Sequence, residues 1–176
     1  MRPFGTLLLI PMWFTCLPVA KAGPESRTRH PQTPSQRNSF PISPDASLTP
    51  GKFCERPSQY RYAERIGWCK RDVSRSTKAR VIATYDARLG FRVGDMNRQE
   101  FKIDHYIPLC MGGSNAEENL WPQHQTVYSA TDPIEQRLCE LVAAGTMRQV
   151  EAVDLIRQSK ADLAEARRLT LRYSTR

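Results

Sequence analysis

Apolar residues recur at helical spacing in three parts of this 176-residue chain. The first predicts a helix over 76–86, with Ser76 or Thr77 as its cap. The second predicts a helix over 132–145, because its opening Asp-Pro-Ile-Glu offers an N-cap, a proline at the first helical position and a capping-box glutamate. The third predicts one long helix from about residue 147 to beyond residue 169.

Two short strands are predicted ahead of these C-terminal helices. Residues 101–109 first alternate between apolar and polar and then become apolar, as strand residues do. A Gly-Gly-Ser-Asn turn follows at 112–115, and a second strand is predicted around 119–123. The chain therefore predicts an α+β domain in which two strands precede a helix.

Residues 23–52 have a different composition, with six prolines, five serines and almost no large apolar side chains. A segment of this kind buries too little surface to offset its ordering entropy. We expect 23–52 to be a disordered linker and 53–176 to be the folded domain.

The N-terminus has the organisation of an export signal. A basic residue, Arg2, precedes an apolar run from Phe4 to Val19. Small residues then precede the expected cleavage point after Ala22. The run is short for a spanning helix and is interrupted by prolines, so a retained anchor is the weaker alternative, as is lipidation at Cys16. We expect residues 1–22 to be a signal peptide and the mature protein to be secreted or periplasmic, without a membrane segment.

The basic charge points weakly to a polyanionic partner. The chain holds 26 basic and 18 acidic side chains. Removing 1–22 takes away two basic residues and no acidic ones, which leaves a net charge of +6. Seven basic residues are concentrated between 61 and 80, a run suited either to phosphate contact or to a solvated helical face.

Four cysteines remain after the predicted cleavage, an even number that fits disulfide bonding in an oxidising compartment. Three pairings are possible. We favour Cys54–Cys69 and Cys110–Cys139, because each bond closes a loop within one predicted structural unit. A four-cysteine zinc site is the alternative, although no two of these cysteines form a CxxC pair.

The candidate chemistry lies at the end of the first predicted strand. The Asp104 carboxylate suits a hard divalent ion, and a neutral His105 imidazole can accept a proton from water near pH 7. Adjacent residues of a regular strand point to opposite faces, so both serve one site only if the strand ends or bulges there. Each also has a purely structural alternative, as a hydrogen-bonded histidine or a strand-end ion pair.

The stretch from 101 to 124 fits the pattern DHxIPLxxGGSNxxxNLWPQ, which resembles the HNH, or ββα-metal, endonuclease superfamily. The blocks RYAERIGWCKRDVS, at 61–74, and TDPIEQRLC, at 131–139, are similar to those of secreted bacterial HNH-type proteins. The resemblance implies a ββα-metal core, with a disulfide-stapled N-terminal element before it and a C-terminal helical hairpin after it. It implies Asp104 as a metal ligand and His105 as the general base. Asn119 would tie the hairpin together and orient His105 by hydrogen bonding, or else only satisfy backbone groups after the turn.

The chain departs from the superfamily pattern at the last metal ligand. A histidine or asparagine in the helix normally completes that site, and the region 125–136 contains neither. His124, Asp132 and Glu135 are the nearby substitutes, of which we favour His124 and Glu135 as ligands. The simpler interpretation of Asp132 and Glu135 is helix capping.

These features together predict a secreted endonuclease that hydrolyses phosphodiester bonds of DNA or RNA. It would use one divalent metal ion, with Mg²⁺ preferred and Mn²⁺ or Zn²⁺ as alternatives, and act as a monomer on nucleic acid. The alternative is a non-catalytic secreted or envelope binding protein that retains a degenerate HNH fold. The two hypotheses differ in whether an acidic or histidine side chain from 124–135 lies within coordination reach of Asp104.

Overall fold

A computed structural model of the chain describes residues 39–174. The predicted signal peptide and the linker up to residue 38 lie outside the described residues. The described part has mixed α and β structure, with two separate two-stranded antiparallel sheets. The elements are β1 (Gln59–Arg61), β2 (Ile66–Trp68), α1 (Arg75–Leu89), β3 (Phe101–His105), β4 (Leu120–His124), α2 (Gln125–Ala143), α3 (Gln149–Ala161) and α4 (Leu163–Ser174).

The β3–β4 sheet packs against helices α1 and α2, and every residue of β4 is buried. Asp104 pairs with Trp121 and His105 with Leu120. The first predicted strand is shorter than expected and ends at His105, because Pro108 follows and a 3₁₀ turn replaces the extended chain. The second strand lies within one residue of its predicted position. The order of two strands followed by a helix is confirmed.

Helix α1 extends beyond its predicted bounds at both ends. Ser74 is its N-cap, with the side-chain oxygen accepting from the Thr77 backbone N–H. Gly90 ends the helix in the left-handed region, with φ of 74°. Val81 and Tyr85 are its buried residues, and they pack with Ile103 and other side chains of the β3–β4 sheet.

Helix α2 begins at Gln125, seven residues before Asp132. The prediction of Asp132 as the N-cap is therefore wrong. The buried stripe of Ile134 and Leu138 continues upstream through Thr131 and Val127, and this burial extends the helix back to the end of β4. Pro133 consequently lies inside the helix. Asp132 and Glu135 are not caps, and their side chains take part in ion pairs instead.

The predicted long C-terminal helix is wrong, because Asp162 interrupts it. Asp162 is extended, with φ of −143° and ψ of 117°, and its carboxylate accepts from the Ala164 backbone N–H. The interruption allows α4 to pack against both α2 and α3. The C-terminal part is therefore a cluster of three helices and not a two-helix hairpin.

The predicted linker boundary at residue 53 is too late. Thr49 is fully buried, and its hydroxyl donates to the Leu120 carbonyl and shares a hydrogen bond with the Tyr85 hydroxyl. Phe40 stacks on His124 with ring centroids 3.9 Å apart. Residues 39–52 thus pack on the domain, since a few well-placed side chains in this proline-rich segment find buried partners.

Both favoured disulfides are confirmed. Cys54 and Cys69 are bonded with their Cα atoms 5.8 Å apart, and Cys110 and Cys139 are bonded at 5.7 Å. The first bond holds the β1–β2 element, and the second ties the turn after β3 to α2. The pairing excludes the four-cysteine zinc site and indicates an oxidising compartment. Among residues 39–174, no helix is long and apolar enough to cross a membrane.

Candidate functional site

Asp104 and His105 project to opposite faces of β3. The register of β3 and β4 is regular through both residues, without the bulge that would turn the two side chains to one side. Lys102 lies on the face of Asp104, whereas His105 lies on the face of Ile103. Asp104 and His105 therefore have different surroundings, one on each face of the strand.

The Asp104 face carries a cluster of three acidic side chains, from Asp104, Asp132 and Glu135. One carboxylate oxygen from each lies within 4.8 Å of the others, so the group could hold a metal ion. Asp132 and Glu135 are three positions apart on α2, and this spacing puts both on the helix face towards β3. We refer to these three residues as the acidic cluster.

Lys160, near the C-terminal end of α3, places its ammonium group inside the acidic cluster. Its Nζ lies 3.2 Å from Asp104 Oδ2 and 2.6 Å from Glu135 Oε2. It also donates to the His105 backbone carbonyl at 2.6 Å. The side chain is fully buried, with 0% exposure. The ammonium group thus makes two hydrogen bonds, to Asp104 and to the His105 carbonyl, and an ion pair with Glu135.

The charges in the cluster shift one another's pKa values. Burial opposes ionisation of Lys160, but the Asp104 and Glu135 carboxylates outweigh it and raise the Lys160 pKa above its usual value. Burial also opposes ionisation of Asp104, yet Lys160 and Lys102 hold the pKa of Asp104 below its usual range. At Glu135, burial is the largest effect and raises the pKa above its usual value, although Lys160 opposes it. Lys160 is therefore charged at neutral pH.

Lys102 forms the exposed rim of the acidic cluster. Its Nζ donates to both Asp132 carboxylate oxygens at 2.8 Å and lies 3.9 Å from Asp104 Oδ1. Its side chain is 37% exposed, so it can exchange its partners for water. It also lies over the ring of Tyr128. The cluster thus has one buried and one exposed ammonium partner.

On the other face, His105 is held by Asn115 and Arg71. Its Nε2 lies 3.0 Å from Asn115 Oδ1, and its Nδ1 lies 3.5 Å from Arg71 Nη1. Since an amide oxygen only accepts, Nε2 carries the proton and Nδ1 presents its lone pair towards Arg71. Burial lowers the pKa of His105 to about 4, with the Arg71 charge adding to the effect and the Asn115 contact opposing it. The imidazole is neutral at pH 7.

An open cleft of about 550 Å³ lies beside this histidine. Its walls include Arg71 and Asn115, the two residues that hold the His105 ring, together with the basic side chains of Arg56 and Lys70. Asp72 is the acidic residue in the same wall. A surface with this excess of positive charge suits a phosphate backbone.

Asn119 organises the loop between β3 and β4 and does not contact the His105 side chain. Its Oδ1 accepts from the Ile107 N–H at 2.8 Å, and its Nδ2 donates to the Ile107 and Ser114 carbonyls, each at 2.9 Å. The expectation that Asn119 ties the hairpin together agrees with these bonds, which are made to residues of the connecting loop. The expected hydrogen bond to His105 is wrong, because Asn115 occupies that position.

His124 does not join the acidic cluster. It pairs with Phe101 in the sheet, three register positions from the Asp104 pair. Its Nδ1 accepts from the Thr126 N–H and caps α2, while its ring stacks on Phe40. The structure brings together Asp104, Glu135 and Asp132 from the sequence-predicted ligands and separates His124 from them.

Two residues of the site are not among the sequence-predicted ones, namely Asn115 and Lys160. The sequence predicts only a turn position for Asn115, although a turn asparagine can also hold a histidine. Lys160 continues the buried stripe of Val153 and Ile156 at helical spacing. A lysine in an apolar stripe is a signal for a buried carboxylate partner, since an unpaired buried ammonium is costly.

Comparison of the chain with the models of known protein families, with curated proteins and with solved structures finds no match.

Proposed function

We propose that this protein is a metal-dependent nuclease of the HNH type that acts on nucleic acid outside the cytoplasm. The observation that carries the proposal is the setting of His105. A buried, neutral imidazole with one fixed tautomer borders a basic cleft, and its chain neighbour Asp104 belongs to the acidic cluster on the other face of the strand. A general base for phosphodiester hydrolysis requires this protonation state at neutral pH.

The chain's own residues would divide the work as follows. His105 Nδ1 would accept a proton from the attacking water once Arg71, which lies 3.5 Å from it, turns towards the phosphate, while Asn115 keeps the other ring nitrogen protonated. Arg71, which contacts the ring and lines the cleft, would offset phosphate charge. The depressed pKa of His105 makes it a weak base, so positioning must supply much of the rate enhancement.

Asp104, Asp132 and Glu135 are the residues that would hold the divalent ion. Their three carboxylate oxygens are hard donors and fit the chemistry of Mg²⁺ or Mn²⁺. When bound, such an ion offsets the negative charge that develops on a phosphodiester in hydrolysis. Asp132 takes the place among the ligands that was predicted for His124.

Nucleic acid is the substrate class that the charges favour. The basic side chains of Arg56, Lys70 and Arg71 lie together in the cleft. The net positive charge of the chain adds a general attraction to polyanions. The two disulfides fit a protein that acts in an oxidising compartment.

A second candidate is a binding protein without catalysis, and Lys160 favours it. The Lys160 ammonium already neutralises two members of the acidic cluster. In that case the basic cleft would retain nucleic acid, and the cluster would serve stability alone.

The deciding experiment compares wild-type mature protein with His105→Ala and His124→Ala. Each protein is incubated with DNA and RNA, single- and double-stranded, in Mg²⁺, Mn²⁺, Zn²⁺ or chelator. The nuclease proposal expects metal-dependent cleavage by the wild type, a loss of about 100- to 10,000-fold in His105→Ala, and near wild-type activity in His124→Ala. His124 is the matched control because it is a buried histidine of the same sheet that lies away from the cleft.

Binding at low salt separates the remaining outcomes. Salt-sensitive binding by both wild type and His105→Ala without any cleavage would favour the binding protein. If the wild type neither cleaves nor binds nucleic acid, both candidates are wrong.

A further inference from the structure

We infer that Lys160 is an intramolecular competitor for the cation position of the acidic cluster. Its ammonium group and a divalent ion exclude one another, so the ion binds only when Lys160 withdraws. The inference rests on the proposed function in one respect, namely that the acidic cluster is where a divalent ion would bind.

The contacts leave no room for both cations. An ion bound to carboxylate oxygens lies about 2.0–2.6 Å from each. Lys160 Nζ already lies 3.2 Å from the Asp104 oxygen and 2.6 Å from the Glu135 oxygen. An ion shared by those two oxygens would therefore lie against the ammonium, where the repulsion between the charges is strong and poorly screened.

Lys160 is also held more firmly than an ordinary surface lysine. Its ammonium group donates to Asp104 Oδ2 and to the His105 backbone carbonyl, and it forms a close ion pair with Glu135. The side chain is fully buried, so it has no nearby water to replace those acceptors. The free-energy cost of withdrawing Lys160 must be overcome before an ion binds. This cost weakens the affinity of the wild-type protein for metal.

Lys102 provides the matched comparison within the same cluster. It carries the same charge and contacts Asp132 and Asp104, but it is 37% exposed and lies at the rim. It can swing into water without losing hydrogen bonds overall. Removing Lys102 changes the charge of the cluster as much as removing Lys160 does, but it does not empty the position between Asp104 and Glu135.

The test measures Mn²⁺ binding by electron paramagnetic resonance in wild type, Lys160→Met and Lys102→Met, without nucleic acid. We expect Lys160→Met to bind Mn²⁺ at least about tenfold more tightly than wild type, because a charge in direct contact is removed. Lys102→Met should gain less than about threefold, since its charge is already screened by water. Equal affinities in the two variants, or no gain in Lys160→Met, would overturn the inference.

Melting temperatures keep the test decisive if Lys160→Met is unstable. That variant leaves the Asp104 and Glu135 carboxylates without a buried partner, and Mn²⁺ should restore its melting temperature more than it raises that of Lys102→Met. A Lys160→Met protein that remains unfolded in Mn²⁺ would contradict competition. Neither measurement uses nuclease activity, so the two proposals can fail separately. If the wild type does not cleave nucleic acid but Lys160→Met binds Mn²⁺ more tightly than wild type, the proposed function is refuted and this inference is supported.

Discussion

Replacement of Asn119 by Ala tests the account of the loop between β3 and β4. The side chain is fully buried and holds Ile107 through both its N–H and its carbonyl, and Ser114 through its carbonyl. Alanine removes the amide and leaves without that partner three backbone groups at 2.8–2.9 Å, and also the more distant Lys52 N–H at 3.4 Å. The loop carries Asn115, so its disorder would also release the ring of His105.

The magnitude follows from those three groups. Each buried polar group that loses its partner costs about 1–3 kcal/mol. Relaxation of the loop and entry of water recover part of this, so we expect Asn119→Ala to lower the free energy of unfolding by about 3–5 kcal/mol. Domains of this size are stable by about 5–15 kcal/mol, so the loss is large but compatible with a folded variant.

Asn115→Ala is the matched control for this prediction. Asn115 is only partly buried, and its amide contacts His105 Nε2 and the Lys70 carbonyl. We expect it to cost about 1 kcal/mol or less in stability while reducing any nuclease activity. The two asparagines should therefore separate structural from positioning roles.

Urea unfolding with the disulfides intact measures both variants, and the fluorescence of the fully buried Trp121 reports the transition. If Asn119→Ala unfolds within about 1 kcal/mol of the wild type, the three hydrogen bonds are not what holds the loop. A larger loss in Asn115→Ala than in Asn119→Ala would likewise refute the assignment of roles.

Two further predictions concern pH and the disulfides. The pKa of His105 falls from 6.5 to about 4 on folding. Between these two pH values His105 is protonated in the unfolded chain and neutral in the folded chain. The free energy of unfolding should therefore decline by about 3 kcal/mol as the pH falls from 6.5 to 4. Urea unfolding across that range should show the decline in wild type and a shallower one in His105→Gln; equal declines would contradict it. Thiol titration of denatured mature protein should find no free thiol, and serine replacement of either bonded pair should cost about 3–4 kcal/mol of unfolding free energy. Two or more titratable thiols would count against the pairing.

The adjacent residues Asp104 and His105 lie in two different environments because they are on opposite faces of β3. A regular strand cannot direct adjacent side chains into one pocket. Asp104 is thus paired with groups from α2 and α3, while His105 is paired with groups from the segment before α1 and from the loop after β3. Lys160 links the two, because it contacts the Asp104 carboxylate and the His105 carbonyl together.

The sequence alone determined the features that depend on interactions between residues close together in the chain. The alternation at 101–105 and the proline after it set the strand and its end, and the Gly-Gly-Ser-Asn cluster set the turn. The cysteine spacings were enough to favour the pairing that the structure has. Short-range hydrogen bonding, backbone geometry and loop closure act at this scale, so they can be predicted from sequence alone.

Tertiary structure decided the rest, because burial and charge pairing depend on residues far apart in the chain. Asp132 has the sequence context of a helix cap. In the structure, however, burial of Val127 extends α2 upstream of Asp132, and the Asp132 carboxylate accepts a hydrogen bond from Lys102. Lys160 lies 56 residues after Asp104, and nothing local joins them. Only when α3 packs against α2 and the β3–β4 sheet does the cost of burying an ammonium select the acidic cluster as its partner.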